Sequence, residues 1–260
     1  MMESVTLFDG ERIDEVNESI RLIQRRDGLV FGTDAYLLSA FVRPRPDCLA
    51  ADLGSGTGIA AFLLLARNKV RAVEAYELQS DFADIIGRNA RLNGFEDRVS
   101  VFKMNVRDAG RGADAERMDI VISNPPYMRA DSGRRNDSDA KYIARHEVDG
   151  GISDFCLAAS RLLKYGGSFY CVYRPDRLCD LISALRESAL EPKVMTFVHA
   201  DSGSTPSMVL VEAKKGGKGS VRVTAPLLLY RDGERSRIMS DDAKRIYDTC
   251  SFEQFMKERM

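Results

Sequence analysis

The sequence predicts an α/β fold, a mostly parallel, doubly wound sheet with helices on both faces, and three stretches carry that expectation. Cys48-Leu49-Ala50-Ala51-Asp52-Leu53 is a short apolar run that ends in Gly54-Ser55-Gly56-Thr57-Gly58 and leads straight into the apolar helix Ile59–Arg67. A strand, a glycine loop and a helix start make the first unit of such a fold. Val70–Glu77 reads as the second strand and ends in a carboxylate roughly 20 residues beyond the loop, the spacing of a ribose-diol ligand. In Met118-Asp119-Ile120-Val121-Ile122-Ser123-Asn124-Pro125-Pro126-Tyr127, three β-branched residues make a buried strand too short to be a helix. The prolines stop it, because they fix φ and offer no N–H, and Pro125 holds Asn124 extended. Asn124 and Tyr127 are thereby delivered on a stiff loop at the strand's carboxyl end, where ligands sit in open α/β sheets.

In chain order, residues 1–30 are polar, with apolar positions at Ile13, Val16, Ile20, Leu22 and Ile23 that suit a short helix or a strand. Thr33 or Asp34 is a good N-cap for a helix from Ala35 to Val42, which Pro44 and Pro46 end. Phe31 and Asp34 precede the glycine loop and flank its pocket, or serve as a packing ring and a helix cap; the residues themselves allow both. Glu77 rather than Glu74 stands at the strand's end. The next helix starts near Ser80, carries Phe82, Ile85 and Ile86 on one face and stops at Asn93-Gly94. Val99–Asp108 is a strand with its exit loop. Met128–Gly151 is a long polar stretch and, beside such a motif, reads as a lid or substrate contact containing Arg145 and His146. Ile152–Lys164 is a helix terminated by Tyr165-Gly166-Gly167, Ser168–Tyr173 a strand, and Pro175–Ser188 a helix with Leu178, Leu181, Ile182 and Leu185 toward the core. Val194–Val198 and Ser207–Ala213 are two further strands, and a helix runs from Ser240 to Thr249. The expected organisation is a cap segment and helix at 1–46, an α/β domain at 47–215 and a tail at 216–260 packed on the same domain.

Composition narrows the class. A content of 44% hydrophobic and 30% charged residues is that of a soluble globular protein, and no apolar run approaches the ~20 residues a membrane span needs. The amino terminus lacks the pattern of a secretory signal. Five scattered cysteines, never spaced as Cys-x-x-Cys, and only His146 and His199 beside them argue against a metal site and for reduced thiols in the cytoplasm. A net charge of −1 excludes a general nucleic-acid coating protein. Lys214–Ser240 nevertheless holds seven Lys or Arg, including Lys214 and Lys215, against Asp232 and Glu234. That is a patch able to contact phosphates or, equally, a solvated hairpin.

The residue types around Asn124 suit methylation of a weakly nucleophilic planar nitrogen. An exocyclic amine or a carboxamide spreads its lone pair into the π-system, so it needs acceptors for its two N–H groups and a surface for its plane. The Asn124 side-chain oxygen and the Pro125 carbonyl can accept, and Tyr127 can stack. The loop before it is Asp-x-Gly-x-Gly-x-Gly from Asp52 to Gly58 rather than the dinucleotide Gly-x-Gly-x-x-Gly. It resembles the S-adenosylmethionine loop of Rossmann-like methyltransferases, and Asn124-Pro125-Pro126-Tyr127 resembles the motif of their amino-group branch.

With Gln24-x-x-x-Gly28-x-x-Phe31-Gly32-x-Asp34-Ala35, Ala144-Arg145-His146-Glu147, Val209–Gly217 and Leu227–Tyr230 in the same order, nearly the whole chain is similar to the bacterial tRNA(Val) adenine N6-methyltransferases. The resemblance implies a seven-stranded Rossmann-like sheet closed by an antiparallel strand. It implies S-adenosylmethionine as cofactor, held by Asp52, Gly54, Ser55, Gly56, Thr57, Gly58 and Glu77, with Phe31, Asp34 and Asn124 beside it. It implies tRNA as partner, met by Arg145, His146, Lys214 and Lys215, and catalysis by Asn124, Pro125, Pro126 and Tyr127. Where such enzymes place an Asp against the cofactor's adenine, this chain has Asn105, with Asp108 the other candidate. Protein-glutamine methyltransferases of release factors share the Asn-Pro-Pro-Tyr motif, but carry a helical domain that some fifty residues cannot supply. An rRNA guanine methyltransferase, though often built with a duplicated domain, and a non-catalytic RNA-binding protein with a vestigial fold are also compatible with the class of fold.

Overall fold

The computed structural model describes residues 5–26, 32–125, 151–232 and 238–258. The amino-terminal segment, open between helix and strand in the sequence, pairs as an antiparallel hairpin of β1 (Glu11–Asn17) and β2 (Ile20–Arg25). Asn17 closes its turn by accepting from the N–H groups of Ser19 and Ile20. Helix α1 (Thr33–Phe41) follows; its N-cap position falls on Gly32, one residue before the expected Thr33 or Asp34.

The central sheet alternates strand and helix: β3 (Leu49–Leu53), α2 (Ile59–Ala66), β4 (Ala72–Glu77), α3 (Ser80–Leu92), β5 (Val99–Lys103) and β6 (Met118–Ser123). After the segment outside the described residues come α4 (Ile152–Leu162), β7 (Leu163–Tyr173), α5 (Leu178–Glu187), β8 (Leu190–His199) and β9 (Pro206–Lys215). The long strands lie in the order β5-β4-β3-β6-β7-β9-β8. All pair in parallel except β9, which runs antiparallel to both its neighbours. The two-residue strands β10 (Arg222–Val223) and β11 (Leu227–Leu228) pair with β8 at the outer edge.

One local expectation changes. Tyr165-Gly166-Gly167 does not end a helix; β7 starts at Leu163, directly after α4. Its pairing with β6 jumps from Met118↔Leu163 to Ile120↔Ser168, so the glycines lie in a bulge. There a Cβ on Gly167 would stand 3.1 Å from the Asp119 carbonyl oxygen.

Apolar side chains fill both faces of the sheet. Helices α1, α2 and α3 share one core with the hairpin, and α4 and α5 the other. The carboxyl-terminal helices α6 (Asp241–Thr249) and α7 (Glu253–Glu258) close over α1. Tyr247 stacks on Tyr36 with ring centroids 4.6 Å apart, and the Tyr36 hydroxyl donates to the Tyr247 carbonyl. The other end of α1 is held from below by Lys69. Its buried ammonium donates to the carbonyls of Ser39, Ala40 and Val42 at 2.8, 2.9 and 2.7 Å.

The hairpin is fastened to α3 by two asparagines one helical turn apart. Asn89 accepts from the Ile23 N–H at 2.6 Å and donates to the Ile23 carbonyl, and Asn93 does the same for Arg21. The side-chain amides thus imitate a neighbouring strand. Asn89 also donates to the Thr57 carbonyl at 3.0 Å, joining the hairpin to the glycine loop. Arg88 adds a bidentate pair with Glu11, both side chains buried. Asn89→Ala strips partners from three backbone groups, and each buried group left unpaired costs about 1–3 kcal/mol. The variant is expected to unfold at markedly lower urea with an unchanged slope; an unmoved midpoint would refute the role given to this amide.

Candidate functional site

The sheet reverses its strand order between β3 and β6: the chain winds outward through β4 and β5 on one side, and through β7, β9 and β8 on the other. At such a switch point the loops at the carboxyl ends part and leave a crevice. Leu53 and Ser123 are register partners there, and the Ser123 hydroxyl donates to the Leu53 carbonyl at 2.9 Å. Asp52 and the glycine loop leave one strand, Asn124 and Pro125 the other, and Glu77 ends β4 alongside.

The loop is drawn over the strand ends by its own backbone. The N–H groups of Gly54 and Ser55 donate to the Tyr76 carbonyl, and Gly58 N–H to the Ser55 carbonyl. Gly58, the N-cap of α2, has φ of +84°, and a Cβ on it would lie 2.6 Å from the Phe62 ring. Gly56, with φ of +56°, faces open space instead. Glu77 is buried; one oxygen accepts from Gly56 N–H at 2.9 Å and the other from Gln79 N–H at 2.8 Å. This fixes the carboxylate against the loop.

Asp52 is only 3% exposed, and its Oδ2 has no hydrogen-bond partner among the described residues. Burial lifts its carboxyl to about 7; the Glu77 charge adds to the rise, and the Ser55 hydroxyl and Ala61 N–H oppose it. Gln24 on β2, next to the Ile23 that Asn89 ties to the loop, is also buried, with neither amide atom paired among the described residues. Unpaired buried polar atoms of this kind call for a polar ligand or ordered water. S-adenosylmethionine fits such a site. It brings cationic groups to a buried carboxylate, a ribose to Glu77, and bulk to the open face of Gly56.

Asn124 is half-buried at the mouth of the crevice, and its Nδ2 donates to Asp34 Oδ2 at 3.0 Å. The other Asp34 oxygen accepts from Ala35 N–H at 2.9 Å, in the first turn of α1. Asp34 is therefore brought to Asn124 across a wide separation in sequence. Asn105 follows β5 at the same edge of the sheet, and its side-chain oxygen accepts from Arg107 N–H, capping a 3₁₀ turn. Asp108 points outward, 3.7 Å from Arg111.

The structure does not bring Lys214 and Lys215 to this crevice. They end β9, whose antiparallel course carries them to the amino-terminal edge of the parallel strands. There Lys214 pairs in register with Ser168, and Lys215 bonds Glu116 and the Leu163 carbonyl, both at 2.8 Å. Phe31, Pro126, Tyr127, Arg145 and His146, and the lid reading of Met128–Gly151 up to Gly151, lie outside the described residues. Asn89 is a residue that sequence reasoning misses; an asparagine inside a helix, one turn before the asparagine that caps it, is its signal.

Residues 26–188 match a family model described as methyltransferase small domain. A protein of Dyadobacter fermentans named tRNA1(Val) (adenine(37)-N6)-methyltransferase is 28% identical over 144 residues, 55% of this chain and 58% of that one. A protein of the same name from Dickeya chrysanthemi is 26% identical over 217 residues, covering 81% of this chain and 83% of the relative. Among solved structures, one described as a predicted O-methyltransferase from Agrobacterium tumefaciens superposes with a TM-score of 0.68 at 25% identity, covering 84% of this chain and 97% of that one.

The Asp52 carboxyl has a consequence for stability. Its pKa in the folded state lies above that of the unfolded chain, so the stability linked to it is complete below its ordinary value of 3.8 and is lost as pH rises through about 7. The urea midpoint of the ligand-free protein is expected to fall between pH of about 5 and about 8, and the fall is expected to shrink in Asp52→Asn. An equal fall in both proteins would assign the dependence to other groups.

Proposed function

We infer the function from one premise, that the chain belongs to the methyltransferase small-domain family. It transfers the methyl group of S-adenosylmethionine to the N6 of an adenine in a tRNA anticodon loop. The observation that carries this reading is the Asn124 amide at the β6 end, beside a glycine loop backed by Asp52 and Glu77. Relatives named for adenine 37 of tRNA1(Val) cover most of the chain and point to the position next to the anticodon of a valine tRNA.

The bound S-adenosylmethionine supplies an electrophilic methyl carbon on a sulfonium. The protein's part is to hold the amine in line with it and exclude water, an advantage of proximity and orientation. Asn124 Oδ1 and the Pro125 carbonyl accept the two N6 hydrogens, turning the nitrogen lone pair toward the methyl group. Tyr127 stacks on the base and Phe31 completes the pocket. Asp52, Gly54, Ser55, Gly56, Thr57, Gly58 and Glu77 hold the cofactor, with Asn105 on its adenine. No general base is needed, since the proton leaves N6 after transfer. The base must leave its stack, which costs least in a single-stranded tRNA loop. Residues 47–215 carry the chemistry, with 1–46 as cap and 216–260 as a packed tail. The place of action is the cytoplasm, in keeping with five free cysteines.

The test is transfer of labelled methyl from S-adenosylmethionine into tRNA, rRNA and release-factor protein in parallel, with nucleoside analysis. N6-methyladenosine in tRNA is the expected product; label in protein glutamine alone would overturn the substrate. Asn124→Ala is expected to abolish steady-state transfer, leaving only a slow single-turnover rate, while calorimetry finds cofactor binding nearly intact, and equal loss of both would remove Asn124 from the chemistry.

A further inference from the structure

A carboxamide can serve an amine as acceptor only if its oxygen, not its NH2, faces the amine. The two ends of an Asn side chain are nearly the same size, so packing alone does not choose between them. In this chain the choice has a visible cause. A carboxylate only accepts, so the Asn124 atom 3.0 Å from Asp34 Oδ2 has to be the nitrogen, and Oδ1 takes the opposite branch of the amide. A flipped amide would set oxygen against oxygen at that distance. Asp34 is itself held, because its Oδ1 accepts from the Ala35 N–H at the start of α1. That helix is anchored by the Tyr36–Tyr247 stack and by Lys69.

Gly32 completes the arrangement. A Cβ there would come 2.6 Å from Asp34 Oδ1, so any larger residue drives the carboxylate from its place. Gly32 has φ of −100°, which every residue adopts, so its need for glycine lies in this contact rather than in its backbone.

We propose that Asp34, kept in place by Gly32, is the positioning residue that sets the amide orientation of Asn124 and so makes it an acceptor for the substrate amine. This gives Asp34 a task distinct from lining the cofactor pocket, and it rests on the amino-methyltransferase reading above.

The experiment is a set of single-turnover assays and cofactor titrations on wild type, Asp34→Ala, Asp34→Asn, Gly32→Ala, Asn124→Ala and the double variant Asp34→Ala/Asn124→Ala. Asp34→Ala is expected to lower the transfer rate by about 100-fold, the order of loss a misplaced reacting group brings. Cofactor affinity should hold, Asp34→Asn should recover part of the rate because its oxygen still accepts, and Gly32→Ala should lose rate with every functional group present. The double variant should be no slower than Asn124→Ala, since the two act as a unit. Additive losses, or a fall in cofactor affinity matching the fall in rate, would overturn the assignment. The Asn124 side-chain NH2 resonances provide a readout independent of substrate. They should shift on Asp34→Ala, and unmoved resonances would overturn the inference even if the wild type methylates nothing in tRNA, a result that would instead sink the substrate reading.

Discussion

The pairing of Leu53 with Ser123 sets the geometry on which the rest of the molecule depends. Two parallel strands whose connections depart in opposite directions end side by side, and the Ser123 hydroxyl bonded to the Leu53 carbonyl pins those ends together. The glycine loop and Asn124 are each one step beyond this pair, so their separation is fixed by the sheet rather than by either loop. Proline after Asn124 then leaves the chain few ways to move the amide. Chemistry that works by orientation needs a frame of this stiffness.

The frame holds two buried groups whose charge is costly, and they lie on opposite sides of the functional question. Lys69 is pulled down to about 8 by burial, yet three carbonyls surround its ammonium, and the result is a fixed end for α1. Asp52 is pushed up to about 7 with one oxygen unpaired among the described residues. A satisfied buried group serves the fold; an unsatisfied one marks where a ligand is expected. The contrast separates structural from functional burial in one core.

The segments outside the central sheet act through helices. The hairpin reaches the glycine loop by way of Asn89 on α3, and the tail reaches Asp34 by way of α1 and Tyr36. Side chains of α3 stand in for a missing strand at Arg21 and Ile23 of β2, so that stretch of the hairpin's edge is not bare. The hairpin stands outside the strand order of the sheet and the tail adds only the two-residue strands β10 and β11 at its outer edge, yet each supports one wall of the crevice.

Much of this was visible in the residues. Short β-branched runs, the Asp52–Gly58 loop, Glu77 at a strand end and the prolines after Asn124 each follow from local rules, and so the α/β class, the order of elements and the candidate residues at the strand ends could be read directly. The Tyr165-Gly166-Gly167 bulge passes for a helix end because glycines that end a helix and glycines that bulge a strand look alike until a partner strand is present. The basic run at Lys214 and Lys215 carries no information about its own place; the pairing of β9 with β7 sets it at the edge away from the crevice, since strand direction is a property of the sheet. The Asp34–Asn124 bond and the Asn89 bridge join residues far apart in the chain, and no spacing rule encodes them. Local composition determined which residues could do chemistry here; tertiary packing decided which of them meet, because hydrogen-bond partners between distant segments exist only once the strands have paired.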